Sequence, residues 1–146
     1  MLRRTLLALM LALATAACGG GDNPNNPTPP PQGPANLVIE DLTVGTGAEA
    51  TGGRLLTVAY NLYHYDPAGN GGRGQLIQGP AQFQFRQGTN AVITGFEQGT
   101  ASMLVGGIRR ITIPPSLGYG TAGNPNAGIA GSEWIVFDVQ LVAVAD

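Results

Sequence analysis

The sequence predicts an antiparallel α+β domain, several strands with one short helix. Three observations lead there. Two long stretches, Arg54 to Tyr65 (RLLTVAYNLYHY) and Glu133 to Val144 (EWIVFDVQLVAV), alternate with the period of two that a half-buried strand requires. Breaker-rich segments such as Asp66 to Gly74 (DPAGNGGRG) separate the alternating ones. A single helix-like segment, Thr94 to Ala101, is bounded by glycines and too short to be stable alone, so tertiary packing must hold it.

In sequence order, Leu37 to Val44 alternates and reads as a first strand. Gly45-Thr46-Gly47-Ala48-Glu49-Ala50 fits a dinucleotide-binding fingerprint on paper, with Asp66 at a plausible distance. That reading needs a helix at the glycines, and Gly52-Gly53 and the alternating strand follow instead. These are turn glycines. On the strand Arg54 to Tyr65, one face carries Leu56, Val58, Tyr60 and Leu62; the other carries Leu55, Thr57, Ala59 and Asn61. Phe83 and Phe85 alternate on a further strand, and the apolar pair Val92-Ile93 stands just before the short helix. Ile108 to Ile113 returns as a strand with Ile111 and Ile113 on one face. A Pro-Pro loop then sets Tyr119 between two glycines, and TAGNPNAGIAGS is a long, flexible crossing. On the last strand Ile135, Phe137, Val139 and Leu141 face in, while Asp138 and Gln140 face out.

Several function classes are excluded by composition. At 146 residues the protein has room for one modest domain plus extras, and 43% hydrophobic residues suffice for its core. The net charge of −2 is spread without runs, and all seven basic residues are arginine, which argues against nucleic acid or an anionic membrane surface as partner. His64 is the only histidine, so no histidine triad or multi-histidine metal site is available, and no metal or cofactor is expected. His64 reads as a partly exposed strand residue. What remains is an apolar, aromatic-lined cavity beside one short helix.

The words FQF-x-x-G, VITGFEQG, Met-x-Val-Gly at Met103 to Gly106 and IPPSLGYG resemble the FK506-binding-protein (FKBP) class of peptidyl-prolyl cis-trans isomerases. The resemblance extends back to VGTGAEATGGRLLTVAYN and forward to WIVFDVQL, nearly everything after residue 37. It implies a strongly twisted antiparallel β-sheet wrapped around one short α-helix, over residues 37–146. It also implies a pocket of Tyr60, Phe83, Val92, Ile93, Phe96, Tyr119, Ile129 and Phe137, with Phe96 as the floor where the family usually has Trp. The Ile93 N–H and the Tyr119 hydroxyl would bond substrate carbonyls, and Tyr60 and Phe137 complete the catalytic wall. Phe85, Ile111 and Val139 are core residues on this reading.

Two departures from the family pattern bear on activity. The family places a Phe-Asp pair on the strand before Phe83; the nearest match is Leu76-Ile77, with no carboxylate and a shortened loop before Phe83. Its Ile-Pro-Pro is reduced to Ile129-Ala130. The resemblance therefore implies a prolyl isomerase acting on proline-containing segments of exported proteins, with activity reduced by the missing Asp, or a non-catalytic chaperone or interaction module of the same fold. A monomer is expected.

Residues 1–17 (MLRRTLLALMLALATAA) read as a secretory signal, too short for a stable span. It ends at Cys18, the only cysteine, which resembles a bacterial lipoprotein cleavage site; Thr15 replaces the usual aliphatic residue three before the Cys. Lipidation of Cys18 would be the protein's one membrane attachment. Removing Arg3 and Arg4 leaves five basic against nine acidic groups, a formal −4. Residues 18–36 are Gly-, Pro- and Asn-rich and read as an extended tether. Gly19, where Asp would signal inner-membrane retention, points to the outer membrane, facing the periplasm.

Overall fold

The computed structural model describes residues 28–146. The signal segment, Cys18 and the tether as far as residue 27 lie outside the described residues. Five strands, β1 (Val38–Thr43), β2 (Leu55–Tyr65), β3 (Arg73–Arg86), β4 (Ile108–Ile113) and β5 (Ile135–Ala145), form one sheet in the order β1-β4-β5-β2-β3. Every neighbouring pair is antiparallel. The single α-helix among the described residues, α1 (Thr94–Thr100), packs on one face.

The inward residues are those that alternation singles out. Leu56, Val58 and Leu62 on β2, Ile111 and Ile113 on β4, and Ile135, Phe137, Val139 and Leu141 on β5 are all buried, as is Phe85 on β3. Gly95 and Gly99, one helical turn apart, let α1 lie flush on β4. A Cβ at Gly95 would sit 2.5 Å from Cγ2 of Ile113, and one at Gly99 2.5 Å from Cδ1 of Ile111. Phe96 leaves the helix elsewhere and meets Tyr60 of β2, Phe83 and Phe85 of β3 and Phe137 of β5. One short helix is thus held by residues of four strands.

Four expectations change. No residue of β1, an edge strand, is buried, so its alternation does not mark a face against the core. Leu76-Ile77 and Phe83 are not separated by a loop, since β3 runs unbroken through both and absorbs the mismatch as register shifts against β2 between Tyr60 and Tyr65. The crossing after Tyr119 is organised, with a 3₁₀ turn at Pro125–Ala127 and a bridge between Asn124 and Ile129. Asp138 does not simply face solvent. Its carboxylate takes Arg110 at 2.7 and 3.1 Å and Arg73 at 3.1 Å. That hydrogen bond to Asp138 is the largest effect raising the Arg110 guanidinium above its ordinary pKa.

The Gly45–Ala50 segment forms no helix. It runs alongside Leu104–Gly107, where Thr46 and Gly47 donate to the Val105 carbonyl at 3.2 and 3.0 Å. A Cβ at Gly45 would meet the Leu104 carbonyl oxygen at 2.3 Å, so close backbone approach explains this glycine better than any phosphate would.

Candidate active site

A cavity of about 480 Å³ opens between α1 and the sheet. Phe96 is its floor and is almost fully buried. Around it the rings interlock. Phe137 stands edge-on to Phe96 at 4.9 Å between centroids, Phe83 lies 5.7 Å from Phe96, and Tyr60 is 5.5 Å from Phe83 and 5.6 Å from Phe137. These distances suit edge-to-face aromatic packing, which fixes the wall as a rigid surface.

Val92 and Ile93 close the helix side of the cavity, and buried polar groups hold them there. The Glu97 carboxylate accepts the N–H of Gly88 and of Thr89, and Gln87 donates to the Glu97 carbonyl at 2.9 Å. The loop from β3 is therefore tied down before it reaches Val92. The Ile93 carbonyl accepts from Phe96 and Glu97 at 3.0 and 3.1 Å, opening the helix. Its own N–H has no acceptor among the described residues. Sequence reasoning missed Gln87 and Glu97; the acid in the first helical turn was the available signal.

Tyr119 joins the lining from the loop after β4. The turn Pro115–Leu117 positions it, with Gly118 and Gly120 both donating to the Pro115 carbonyl and Ser132 donating to Gly120. No buried side-chain polar atom among the described residues lacks a partner, so both phenol hydroxyls keep access to solvent in the cavity mouth. Burial raises the Tyr60 phenol above its ordinary pKa, and the nearby Tyr119 pushes it the same way. At neutral pH Tyr60 is an uncharged donor.

Seven residues singled out in the sequence meet here: Tyr60, Phe83, Val92, Ile93, Phe96, Tyr119 and Phe137. Three do not line the cavity. Leu76 is 47% exposed on β3. Ile77 lines a separate cleft next door. Ile129 is buried in the core, because the bridge to Asn124 turns that part of the crossing inward. Leu62, Gln78 and Ala91 complete the lining. The register shifts in the β2–β3 ladder bring Gln78 opposite Leu62, one residue beyond the Leu76-Ile77 pair matched to the family's Phe-Asp. Among the described residues no carboxylate lines the cavity, and Asp66 lies in another cleft, where it accepts the Ala68 N–H at 2.9 Å. Among the described residues no cluster of His, Cys, Asp and Glu could hold a metal ion.

A sequence model described as FKBP-type peptidyl-prolyl cis-trans isomerase matches residues 46–142. Peptidyl-prolyl cis-trans isomerase FKBP15-3 of Arabidopsis thaliana is 37% identical over 110 residues, 74% of this chain and 73% of that protein. An FK506-binding protein of Streptomyces anulatus is 37% identical over 117 residues, 76% of this chain and 88% of that one. Other relatives are much longer; the match spans 29% of FK506-binding protein 4 of Dictyostelium discoideum. The solved structure of AtFKBP13 superposes with a TM-score of 0.63 at 29% identity, covering 77% of this chain and 95% of that one. The family match, the five-stranded antiparallel sheet with one short helix and the aromatic cavity beside that helix agree: the chain belongs to the FKBP-type peptidyl-prolyl cis-trans isomerase family.

Proposed function

We propose that this protein catalyses cis–trans isomerisation of Xaa-Pro bonds in exported polypeptides, held at the cell envelope by lipid on Cys18. The observation that carries the catalytic reading is the uncharged aromatic cavity lined by both Tyr119 and Ile93, whose N–H has no acceptor among the described residues. Rotation about the peptide bond faces a barrier of roughly 20 kcal/mol. Twisting breaks amide resonance and makes the bond less polar than the planar amide. A dry aromatic wall therefore favours the twisted state more than water does, with no covalent intermediate. The proline ring packs on Phe96 between Tyr60, Phe83 and Phe137. The Ile93 N–H and the Tyr119 O–H each donate to a substrate carbonyl and hold the peptide while the bond turns.

Gln78 occupies the polar edge of the cavity, where the family pattern leads one to expect an acid. An amide bonds more weakly than a carboxylate, so the rate falls below that of relatives carrying the acid. The test is isomerisation of short Leu-Pro and Phe-Pro peptides. Wild type exceeds the buffer rate, Tyr119→Phe lowers it, and Gln78→Asp raises it by about tenfold, since a hydrogen bond to a charged group contributes roughly 1.5–3 kcal/mol. A wild-type rate equal to buffer and unmoved by Gln78→Asp leaves a non-catalytic binder of proline-containing segments.

The anchor rests on the apolar run ending at Cys18 and the Gly/Pro/Asn tether. A single acyl group binds a bilayer only reversibly, so stable attachment takes more than one. Mass spectrometry of the N-terminus of protein isolated from its native membrane decides it: an unmodified Cys18, or cleavage elsewhere, removes the anchor. Gly19 favours the outer membrane, and a monomer on its tether suffices for the reading.

A further inference from the structure

We propose that a polypeptide bound by its proline runs out of the aromatic cavity across Gln78 into a second, carboxamide-lined cleft, which binds the flanking residues. This rests on the isomerase reading and extends its substrate contact beyond the Xaa-Pro pair. The second cleft, about 340 Å³, lies between β3 and the crossing before β5 and is lined by Ile77, Gln78, Asn124, Asn126 and Ala127. Gln78 belongs to both linings, so the two spaces meet at this residue.

The chemistry of the cleft suits a peptide backbone. Its three carboxamides each carry two donors and one acceptor, the groups that complement backbone carbonyls and N–H groups. None of them bonds to another group among the described residues; Thr57, Glu97 and their neighbours take up other amides, such as Gln84 and Gln87. The backbone beneath is already spent: the Asn124 carbonyl accepts from Ala127 and Ile129, and its N–H donates to the Ile129 carbonyl. This turn is therefore held by its backbone while its side chains stay available. Ile77 and Ala127 supply apolar lining, and no charged side chain among the described residues lines either space. A neutral, hydrogen-bonding trough continuous with the proline site fits an unfolded polypeptide of varied sequence better than any one small molecule.

The test compares a Leu-Pro tetrapeptide with peptides extended by three residues on either side, carrying Lys or Glu in the extension. Wild type, Asn126→Asp and, as a control on the outer face of β5, Gln140→Glu are measured. Asn126 is exposed on a short turn, so the substitution is tolerated by the fold. Extension on one side raises kcat/KM at least about threefold in wild type. Asn126→Asp leaves the tetrapeptide unchanged but shifts the Lys-over-Glu preference by about fivefold, the effect of one new charge across a few ångströms of water. High salt removes that shift. No dependence on length, or the same preference in all three proteins, overturns the cleft. If even the tetrapeptide is not turned over, the isomerase reading has failed separately. The cleft is then judged by binding: side-chain amide resonances of Gln78, Asn124 and Asn126 that move with the extended peptide uphold it, and resonances that stay fixed overturn it.

Discussion

Phe137 and Asp138 are neighbours on β5 and show what one step along a strand decides. Phe137 is 5% exposed and touches the Phe96 and Tyr60 rings. Phe137→Ala should cost about 3–5 kcal/mol in chemical denaturation, the range for emptying a buried aromatic site. Alternation alone would give Asp138→Ala under about 1 kcal/mol, as for an exposed side chain. The ion pair alters that expectation, since the Asp138 and Arg110 side chains are only 13% and 10% exposed. Removing the carboxylate strands Arg110, and a loss of about 2–3 kcal/mol is expected, below the range for a fully buried pair. A double variant, Asp138→Ala with Arg110→Met, recovers part of it.

The Tyr60 phenol gives a pH signature at the same scale. Its pKa is raised above 10.0 by burial and then by Tyr119, so the folded protein keeps this proton where the unfolded state has lost it. Stability is therefore fully present below about pH 10 and declines as pH rises through the folded value. Denaturation midpoints between pH 8 and 11 should fall more steeply for wild type than for Tyr60→Phe. Parallel curves would show that Tyr60 titrates alike in both states.

Among the elements, α1 is the one that depends most on its surroundings: it is seven residues long and has no side-chain cap at its start. Its far end is held instead by Arg109, whose guanidinium donates to the Gly99 and Ala101 carbonyls at 2.9 and 2.8 Å and pairs with Asp41. A helix this short needs such contacts. Gly99→Ala sets two effects against each other. Alanine favours the helix by about 1 kcal/mol. The new Cβ, however, would lie within 2.5–2.9 Å of three side-chain atoms of fully buried Ile111. Overpacking costs about 1–3 kcal/mol, so a net loss of about 1 kcal/mol is expected. Exposed Gln98→Ala, one residue earlier, should be neutral or slightly stabilising. A stabilised Gly99→Ala would mean that the helix moves away from β4 without penalty.

Across the molecule as a unit, the end of the tether is part of the fold. Gly33 lies flat against the Trp134 indole, and Trp134 Nε1 donates to the Pro34 carbonyl at 2.9 Å. A variant starting at residue 36 keeps all five strands and should still fold, with a loss of about 1 kcal/mol, the net worth of one hydrogen bond. Its tryptophan emission should shift to the red as the indole gains water. Unchanged emission and stability would show that the Gly33–Pro34 contact is idle in solution.

The fold class, the inward faces of β2, β4 and β5 and seven residues of the cavity were legible in the amino-acid sequence. Those properties are local: alternation sets which face a side chain takes, glycine and proline set where strands stop, and short words such as VITGFEQG and IPPSLGYG keep their spacing. Other properties depend on partners far apart in the sequence and emerged only with the folded sheet. The strand order β1-β4-β5-β2-β3 comes from long-range pairing that no local pattern encodes. Gln78 rather than Ile77 lines the cavity, at the place where the β2–β3 register shifts set it opposite Leu62. Asp138 is paired because β4 sets Arg110 directly across from it. Ile129 leaves the site because its turn folds back on Asn124. In each case the side chain's identity was plain, and its neighbours were fixed only when the sheet closed.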